Sequence, residues 1–281
     1  MAFLFPIERA RNFFPDLEFV APLTPSQQKA AFLVRDSEGL ELCLKIISPD
    51  YQAERLQREL IALQKLDHPN IVRFREYALT IKSGVTLNYM IEEYIKGNDL
   101  TDLLGQEHIW DANRATKFFA ELFRGLAALY HEGIVHRDLK PSNIRVRENT
   151  SPVIIDFGLA RHLNLTDLTR TEEGAGFGTP KYFAPEQFVG TKYDIDHRTD
   201  LYATGLLLYE ALTGVHPYWK ADMSMSDLRE AALRSDEFLK NPAFLTLPNN
   251  ITLLVSRLLA KERVNRPSNA NLAARIILKG R

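Results

Sequence analysis

The feature that most constrains the fold is a change in hydrophobic pattern near residue 96. Before it, short apolar runs bounded by turn residues predict strands, and leucines at three- and four-residue spacing predict one helix over 54–66. After it, longer periodic segments predict mainly helices. The predicted strands lie at 30–34, 40–47, 71–79 and 87–95, and the later helices at 112–130, 199–212, 227–233, 251–259 and 270–278. The pattern predicts an α+β chain: a small strand-rich part with one helix, then a larger and mainly helical part.

Composition excludes several classes of protein. The 281 residues carry 35 basic and 36 acidic side chains, a formal net charge of −1, so no overall positive field attracts nucleic acid or an anionic membrane. The single cysteine, Cys43, excludes a disulfide framework and a multi-cysteine metal site. The longest lipid-like stretch, 201–209, is about half of the roughly 20 residues that a membrane span needs. We expect a soluble, cytoplasmic protein without a membrane span.

Three short segments carry most of the chemical information. His136-Arg137-Asp138-Leu139-Lys140-Pro141-Ser142-Asn143 is followed thirteen residues later by Asp156-Phe157-Gly158, and then by Ala184-Pro185-Glu186. Transfer of a γ-phosphoryl group needs alignment and charge neutralisation more than covalent help. The first two segments supply a carboxylate, a nearby lysine and hard oxygen ligands that suit Mg²⁺.

The order of these segments resembles the signature set of the Hanks-type serine/threonine protein kinases. The resemblance extends from about residue 17 to 277. It implies one protein kinase domain over residues 1–281, with the bilobal fold of that family: an N-lobe of residues 1–95 with a small antiparallel sheet and one helix, a hinge near 93–96, and a mainly helical C-lobe of residues 97–281. It also implies an ATP- and Mg²⁺-dependent enzyme, with Mn²⁺ as an alternative metal, that phosphorylates serine or threonine hydroxyls of proteins.

The resemblance assigns roles in the first segment, residues 136–143, which is called the catalytic segment below, and in the segment that begins at Asp156. Asp138 accepts the proton of the substrate hydroxyl, and Lys140 meets the charge that builds on the transferred oxygens. Asn143 and Asp156 are the expected metal ligands.

Upstream, the resemblance identifies a nucleotide-binding lysine and its carboxylate. Lys45 lies in an apolar strand, where a lysine needs an anionic partner. Phosphate oxygens and the helix carboxylate Glu59 are the family's partners for it, although Glu54 competes on composition alone. Cys43 is expected to be a buried, unreactive side chain.

The expected hinge begins at Glu93, and the backbone of Glu93 and Ile95 is expected to hold the adenine edge. Glu92 then occupies a position at which the family usually has an apolar or small residue. Either the register is off by one, or the back of the nucleotide pocket is polar.

The chain departs from the family at the phosphate loop. The three glycine positions of the family motif fall on Leu23, Pro25 and Gln28, and the stretch 22–29 contains no glycine. Such a loop is stiffer and offers fewer backbone N–H donors. Two outcomes follow. Either nucleotide binding is weak and the protein is a scaffold, or loop side chains supply the contacts instead, from Thr24, Ser26, Gln27, Gln28 or Lys29.

The segment 178–186 resembles the substrate-docking segment of serine/threonine kinases, in which Thr179 bonds Asp138 and Lys140. By the same resemblance, Glu186 is expected to pair with Arg266, and Asp200 to brace the catalytic loop.

Arg137, which precedes the catalytic aspartate, suggests control by phosphorylation, because a phosphothreonine can bond such an arginine and order the loop. The candidate threonines are Thr166, Thr169 and Thr171, and Thr171 is best placed.

Three readings stay open. The first is an active kinase that has a protein substrate and a regulatory partner, does not bind nucleic acid, and phosphorylates its own activation segment. The second is a pseudokinase or scaffold, suggested by the glycine-free loop. The third is a small-molecule phosphotransferase of the aminoglycoside kinase type, a family that normally lacks the 178–186 docking segment.

Overall fold

The computed structural model describes residues 2–107, 109–158, 160–162, 180–189 and 195–279. The four threonines Thr166, Thr169, Thr171 and Thr179 lie outside these residues. The chain divides into two compact units: the first runs to His68 and includes Val72–Lys96, and the second contains Pro69–Ile71 and the chain from Gly97 onward.

The first unit is built on a five-stranded antiparallel sheet of strand order β1-β2-β3-β5-β4. Its elements are α1 (Ile7–Phe13), β1 (Glu18–Leu23), β2 (Lys29–Arg35), β3 (Glu41–Ile47), α2 (Ala53–Lys65), β4 (Phe74–Lys82) and β5 (Val85–Glu93).

The two faces of this sheet have different cores. Phe32, Leu44 and Ile46 point to one face and pack in a core with Ala10 of α1. The other face contributes Ile47 and Met90 to a smaller core with Leu56 of α2. Because successive residues of a strand point to opposite faces, every second residue of β2, β3 and β5 lies on the α2 side.

The second unit is mainly helical. Its helices are α3 (Leu100–Gln106), α4 (Ala112–His131), α5 (Pro185–Val189), α6 (His197–Thr213), α7 (Met225–Arg234), α8 (Pro242–Leu245), α9 (Asn249–Leu258) and α10 (Ala270–Leu278). Short antiparallel pairs join β6 (Ile134–Val135) to β9 (Arg161–His162) and β7 (Ile144–Arg147) to β8 (Ser151–Ile154).

The apolar stretch 201–209 belongs to α6, which is buried along nearly its whole length. Among the described residues, none of the helices has both the length and the apolar character of a membrane span.

The predicted α+β fold, a small antiparallel sheet with one packed helix and a larger helical part, is confirmed. The strand predicted at 71–79 begins three residues later, as β4, Phe74–Lys82. Ile71 does not join this strand because it belongs to the second unit, where it forms an isolated bridge with Ile154. Helix α1 and strand β1 were not predicted. The short α1 buries only Ala10, so its sequence shows little helical periodicity.

Candidate active site

The catalytic segment holds the Asp138 carboxylate between two neighbouring side chains. Lys140 Nζ lies 2.7 Å from Asp138 Oδ2, and Asn143 Nδ2 donates to the same oxygen at 3.0 Å. Asn143 also donates to the Asp138 backbone carbonyl at 2.8 Å. The 3₁₀ turn Pro141–Asn143 brings Asn143 back over Asp138. The structure therefore brings together the three residues that the sequence analysis singled out in this segment.

Asp200 braces the backbone of this segment, as predicted. Its two carboxylate oxygens accept the backbone N–H groups of His136 (2.8 Å) and Arg137 (2.9 Å). Arg137 has a φ of 69°, a left-handed conformation that a non-glycine residue holds only when its surroundings impose it. Burial raises the pKa of Asp200, while these two backbone donors oppose the rise.

His136 links the catalytic segment to the strand before Asp156. Its Nδ1 accepts the Asp138 N–H at 3.3 Å, and its Nε2 lies 3.1 Å from the carbonyl oxygen of Ile155. This bonding assigns the neutral tautomer with the proton on Nε2.

Asn143 and Asp156 fit the expected cation. Ile155 N donates to Asn143 O at 3.0 Å, so the chain that carries Asp156 runs beside Asn143. The amide nitrogen of Asn143 serves Asp138, so its oxygen is the atom that it offers to a metal. One amide and one carboxylate oxygen suit Mg²⁺, which takes few protein ligands and keeps waters and phosphate oxygens. The described residues contain no cluster of three or more His, Cys, Asp or Glu that could hold a metal.

A small pocket lies beside the catalytic segment. Asp138 and Lys140 line it together with Tyr182 and Phe183 from the docking segment. Tyr182 donates to Glu210 at 2.7 Å, and its burial raises its pKa further above the ordinary tyrosine value. The pocket places an aromatic, uncharged wall next to the proposed catalytic carboxylate.

A buried ion pair within the second unit ties the end of the docking segment to Arg266. Arg266 meets both oxygens of Glu186, at 2.7 and 2.8 Å, and Thr199 donates to Glu186 at 2.7 Å. The predicted pair between Glu186 and Arg266 is confirmed. This bidentate geometry is the strong form of an arginine–carboxylate contact.

In the first unit, the glycine-free loop uses its backbone N–H groups internally. Ser26 N donates to Lys29 O at 2.9 Å, while Gln28 N and Lys29 N donate to Ser26 Oγ at 3.2 and 3.0 Å. Pro25 has no N–H group at all. A glycine-rich loop cradles phosphates with such donors, and here those of Ser26, Gln28 and Lys29 are already engaged.

Two buried ion pairs lie on the α2 side of the sheet. Lys45 Nζ lies 2.5 Å from Glu92 Oε2, and Lys29 Nζ lies 2.5 Å from Glu59 Oε1. Glu59 is fully buried, and its second oxygen accepts the Tyr51 hydroxyl at 3.0 Å.

These contacts answer the question about Glu92, which is buried and gives this face of the sheet a polar carboxylate. The Lys45–Glu92 and Lys29–Glu59 contacts were not predicted. A signal existed for the second, because the alternation of β2 puts Lys29 on the side of Ala31 and Leu33, where a charge needs a partner.

The expected hinge residues follow directly from β5. Glu93 ends the strand, and its N–H donates to Arg73 O at 2.9 Å while its carboxylate accepts the Arg73 N–H at 2.9 Å. Ile95 is buried. Their roles toward adenine stay predictions.

Comparison with known families gives a direct match. A family model described as the protein kinase domain matches residues 30–277. This chain belongs to the protein kinase family. The match begins just after the glycine-free loop, the region in which the chain departs from the family pattern.

Curated relatives give the same family. The serine/threonine-protein kinase PkaA of Streptomyces coelicolor is 32% identical over 257 residues, which cover 88% of this chain and 45% of that protein. The kinase pkn2 of Myxococcus xanthus is 32% identical, covering 84% of this chain and 29% of that protein. A probable serine/threonine-protein kinase of Clostridium perfringens is 29% identical, covering 82% and 33%. The chain thus spans less than half the length of these relatives.

Proposed function

We propose that this protein kinase transfers the γ-phosphate of ATP to serine or threonine hydroxyls of a protein substrate. The observation that carries the proposal is the arrangement around Asp138, whose Oδ2 is fixed by Lys140 and Asn143 on a backbone braced by Asp200. The relatives named above are called serine/threonine-protein kinases, which supports the same activity.

In the proposed reaction, each side chain has one task. Asp138 Oδ1, the oxygen opposite the one that Lys140 and Asn143 bond, orients the substrate hydroxyl and accepts its proton. The Lys140 ammonium group stabilises charge on the transferred phosphoryl oxygens. Asn143 and Asp156 hold Mg²⁺, which neutralises phosphate charge when bound. In the first unit, Lys45 binds the nucleotide phosphates, and the backbone of Glu93 and Ile95 binds adenine.

Control by autophosphorylation is part of the proposal. Arg137 lies directly before Asp138, where a phosphothreonine on the activation segment can bond it and order the segment. Thr171 is the preferred site and Thr169 the second. Full activity of a variant with alanine at 166, 169 and 171 would contradict this control.

The decisive experiment is transfer of radiolabelled γ-phosphate with Mg²⁺ to the protein itself and to a general serine/threonine substrate. Asp138→Asn keeps the shape of the side chain and removes the base, so we expect labelling to fall by roughly 10²–10⁴-fold. The exposed Asp222→Asn is the matched control and should label like the wild type. Equal labelling of all three proteins would reject the proposed role of Asp138.

A scaffold with weak nucleotide binding is the second candidate. The observation that favours it is the loop whose N–H groups at Ser26, Gln28 and Lys29 are already engaged. Absence of labelling in a wild-type protein that keeps its fold would favour this reading. For the whole protein, the kinase proposal also includes a cytoplasmic location and a regulatory partner.

A further inference from the structure

The glycine-free loop of residues 22–29 has few backbone N–H groups left to bind the phosphates of a nucleotide. The loop lacks glycine, Pro25 lacks an N–H group, and three other N–H groups of the loop bond within it. A bound nucleoside triphosphate nevertheless needs positive charges or hydrogen-bond donors along its phosphates. The side chain that leaves this loop toward the α2 side of the sheet is Lys29, the first residue of β2.

Strand register places Lys29 beside Lys45. Ala31 of β2 pairs with Lys45 of β3, and Lys29 lies two residues from Ala31, so both lysines point to the same face. They are diagonal neighbours on adjacent strands, within reach of long side chains. The small Ala31 directly opposite Lys45 leaves space between them.

Each lysine has a carboxylate that fixes it. Glu59 binds Lys29 with one oxygen and the Tyr51 hydroxyl with the other. On the neighbouring strand, Glu92 pairs with Cys43 in the register and so lies diagonal to Lys45, which it meets at 2.5 Å. Both lysine side chains are almost buried, at 6% and 12% exposed, and burial strengthens the interaction of a cation with an incoming anion.

We propose that Lys29 is a second phosphate-binding lysine of this kinase. Glu59 positions Lys29, Glu92 positions Lys45, and the two ammonium groups together bind the nucleotide phosphates in place of the backbone donors of a glycine-rich loop. This proposal rests on the proposed function, since it concerns the same nucleotide. Among the loop side chains that the sequence offered for phosphate contacts, the proposal selects Lys29. It also makes Glu59 the positioning carboxylate of Lys29, whereas the sequence-based expectation assigned Glu59 to Lys45.

The first test is covalent labelling with an acyl phosphate of ATP, which transfers its acyl group to lysines beside the bound phosphates and is read by mass spectrometry. We expect acylation of both Lys29 and Lys45, each suppressed by excess ATP. Acylation of Lys45 without Lys29 would overturn the proposal. The readout needs no phosphotransfer, so a wild-type protein that labels both lysines but transfers no phosphate would contradict the proposed function alone.

The second test separates ligand binding from a purely structural ion pair. We expect Lys29→Met to weaken ATP binding, measured by calorimetry, by roughly 10–100-fold, and Lys29→Arg to recover most of it. Arg35→Met is the matched control, because Arg35 lies on the same strand and face but pairs at the surface with Glu18 and Glu41, and it should bind ATP like the wild type.

The double variant Lys29→Met/Glu59→Gln decides between the two roles. Removing both charges takes away the buried carboxylate that Lys29→Met deprives of its 2.5 Å ammonium contact, and should recover much of the stability lost in Lys29→Met. Under our proposal ATP affinity stays low, because the phosphate-binding cation is still missing. Recovery of affinity together with stability, or a wild-type protein that binds no ATP, would overturn the proposal.

Discussion

The catalytic segment and the lysine-bearing face of the sheet both hold lysines against carboxylates, but they do so differently. In the catalytic segment, Lys140 meets Asp138 two residues away, and both side chains are partly exposed. On the sheet, Lys29 meets Glu59 across 30 positions of the chain, and both side chains are buried. The first arrangement is local and partly exposed to solvent, whereas the second is buried and joins distant elements.

The difference in burial indicates whether each ion pair matters more for activity or for stability. A partly exposed pair contributes little to stability, so the catalytic segment can hold charges for chemistry without the fold depending on them. A buried pair contributes to stability mainly through the large penalty for losing one partner. Substitutions in the two regions should therefore separate activity from stability.

The largest expected effect on activity alone is that of Lys140→Met. In the proposed reaction Lys140 stabilises transition-state charge, so its loss should lower kcat by roughly 10²–10³-fold. The unfolding midpoint should stay close to that of the wild type, because Lys140 is 30% exposed and its pair with Asp138 is only partly buried. Phosphotransfer assays beside thermal denaturation check this, and a large loss of stability would break the comparison.

On the sheet, Glu92→Leu should act on stability first. It takes away the carboxylate 2.5 Å from the nearly buried Lys45, and we expect a loss of roughly 3 kcal/mol in the free energy of unfolding. Lys45→Met/Glu92→Leu, which replaces both charges with apolar groups, should recover most of that loss. Urea denaturation measures both, and a double variant no more stable than Glu92→Leu would contradict the buried-pair interpretation.

The same contrast explains what could be predicted from the sequence. The spacing from Asp138 to Lys140 and Asn143 is short, so a turn of fixed geometry sets their contacts. The pair of Glu186 and Arg266 spans 80 residues, yet it could be predicted because the resemblance supplied the partner. Helical and strand periodicity placed most of the elements.

The partners of Lys45 and Lys29 could not be predicted in this way. They depend on the register of β2, β3 and β5, which brings Glu92 diagonal to Lys45. A one-residue shift in that register would move these side chains to the opposite face. Sequence reasoning noted that Glu92 needed a partner, but the choice between two lysines and two carboxylates required the folded sheet.

His216, which lies beside the docking segment, should make the stability of the fold depend on pH. Its Nδ1 accepts the N–H groups of Tyr218 and Trp219, and burial lowers the pKa of His216 from 6.5 to about 4. Between these values the unfolded chain binds the proton and the folded chain does not, so the group makes stability fall as pH decreases from 6.5 to 4.

His216→Asn keeps an acceptor for the two N–H groups but does not titrate. Relative to the wild type, its free energy of unfolding should depend less on pH in that window, by up to about 1.4 kcal/mol per pH unit. Urea denaturation at several pH values measures the slope. The exposed His131→Asn is the control, and an equal change of slope in both variants would refute the assignment to His216.

The smallest expected effect is at the surface pair of Lys240 and Glu237, which lie 2.7 Å apart at 75% and 73% exposure. This distance is almost that of the Lys29–Glu59 pair, but the surface pair is exposed and lies within one turn of the chain, whereas the other pair is buried and joins distant elements. Because water and salt screen the exposed pair, Lys240→Gln should change the free energy of unfolding by less than about 0.5 kcal/mol, and less still in high salt. The same measurement on Lys29→Gln should give a loss several times larger. Similar losses in both variants would mean that distance, rather than burial, sets the contribution of these ion pairs.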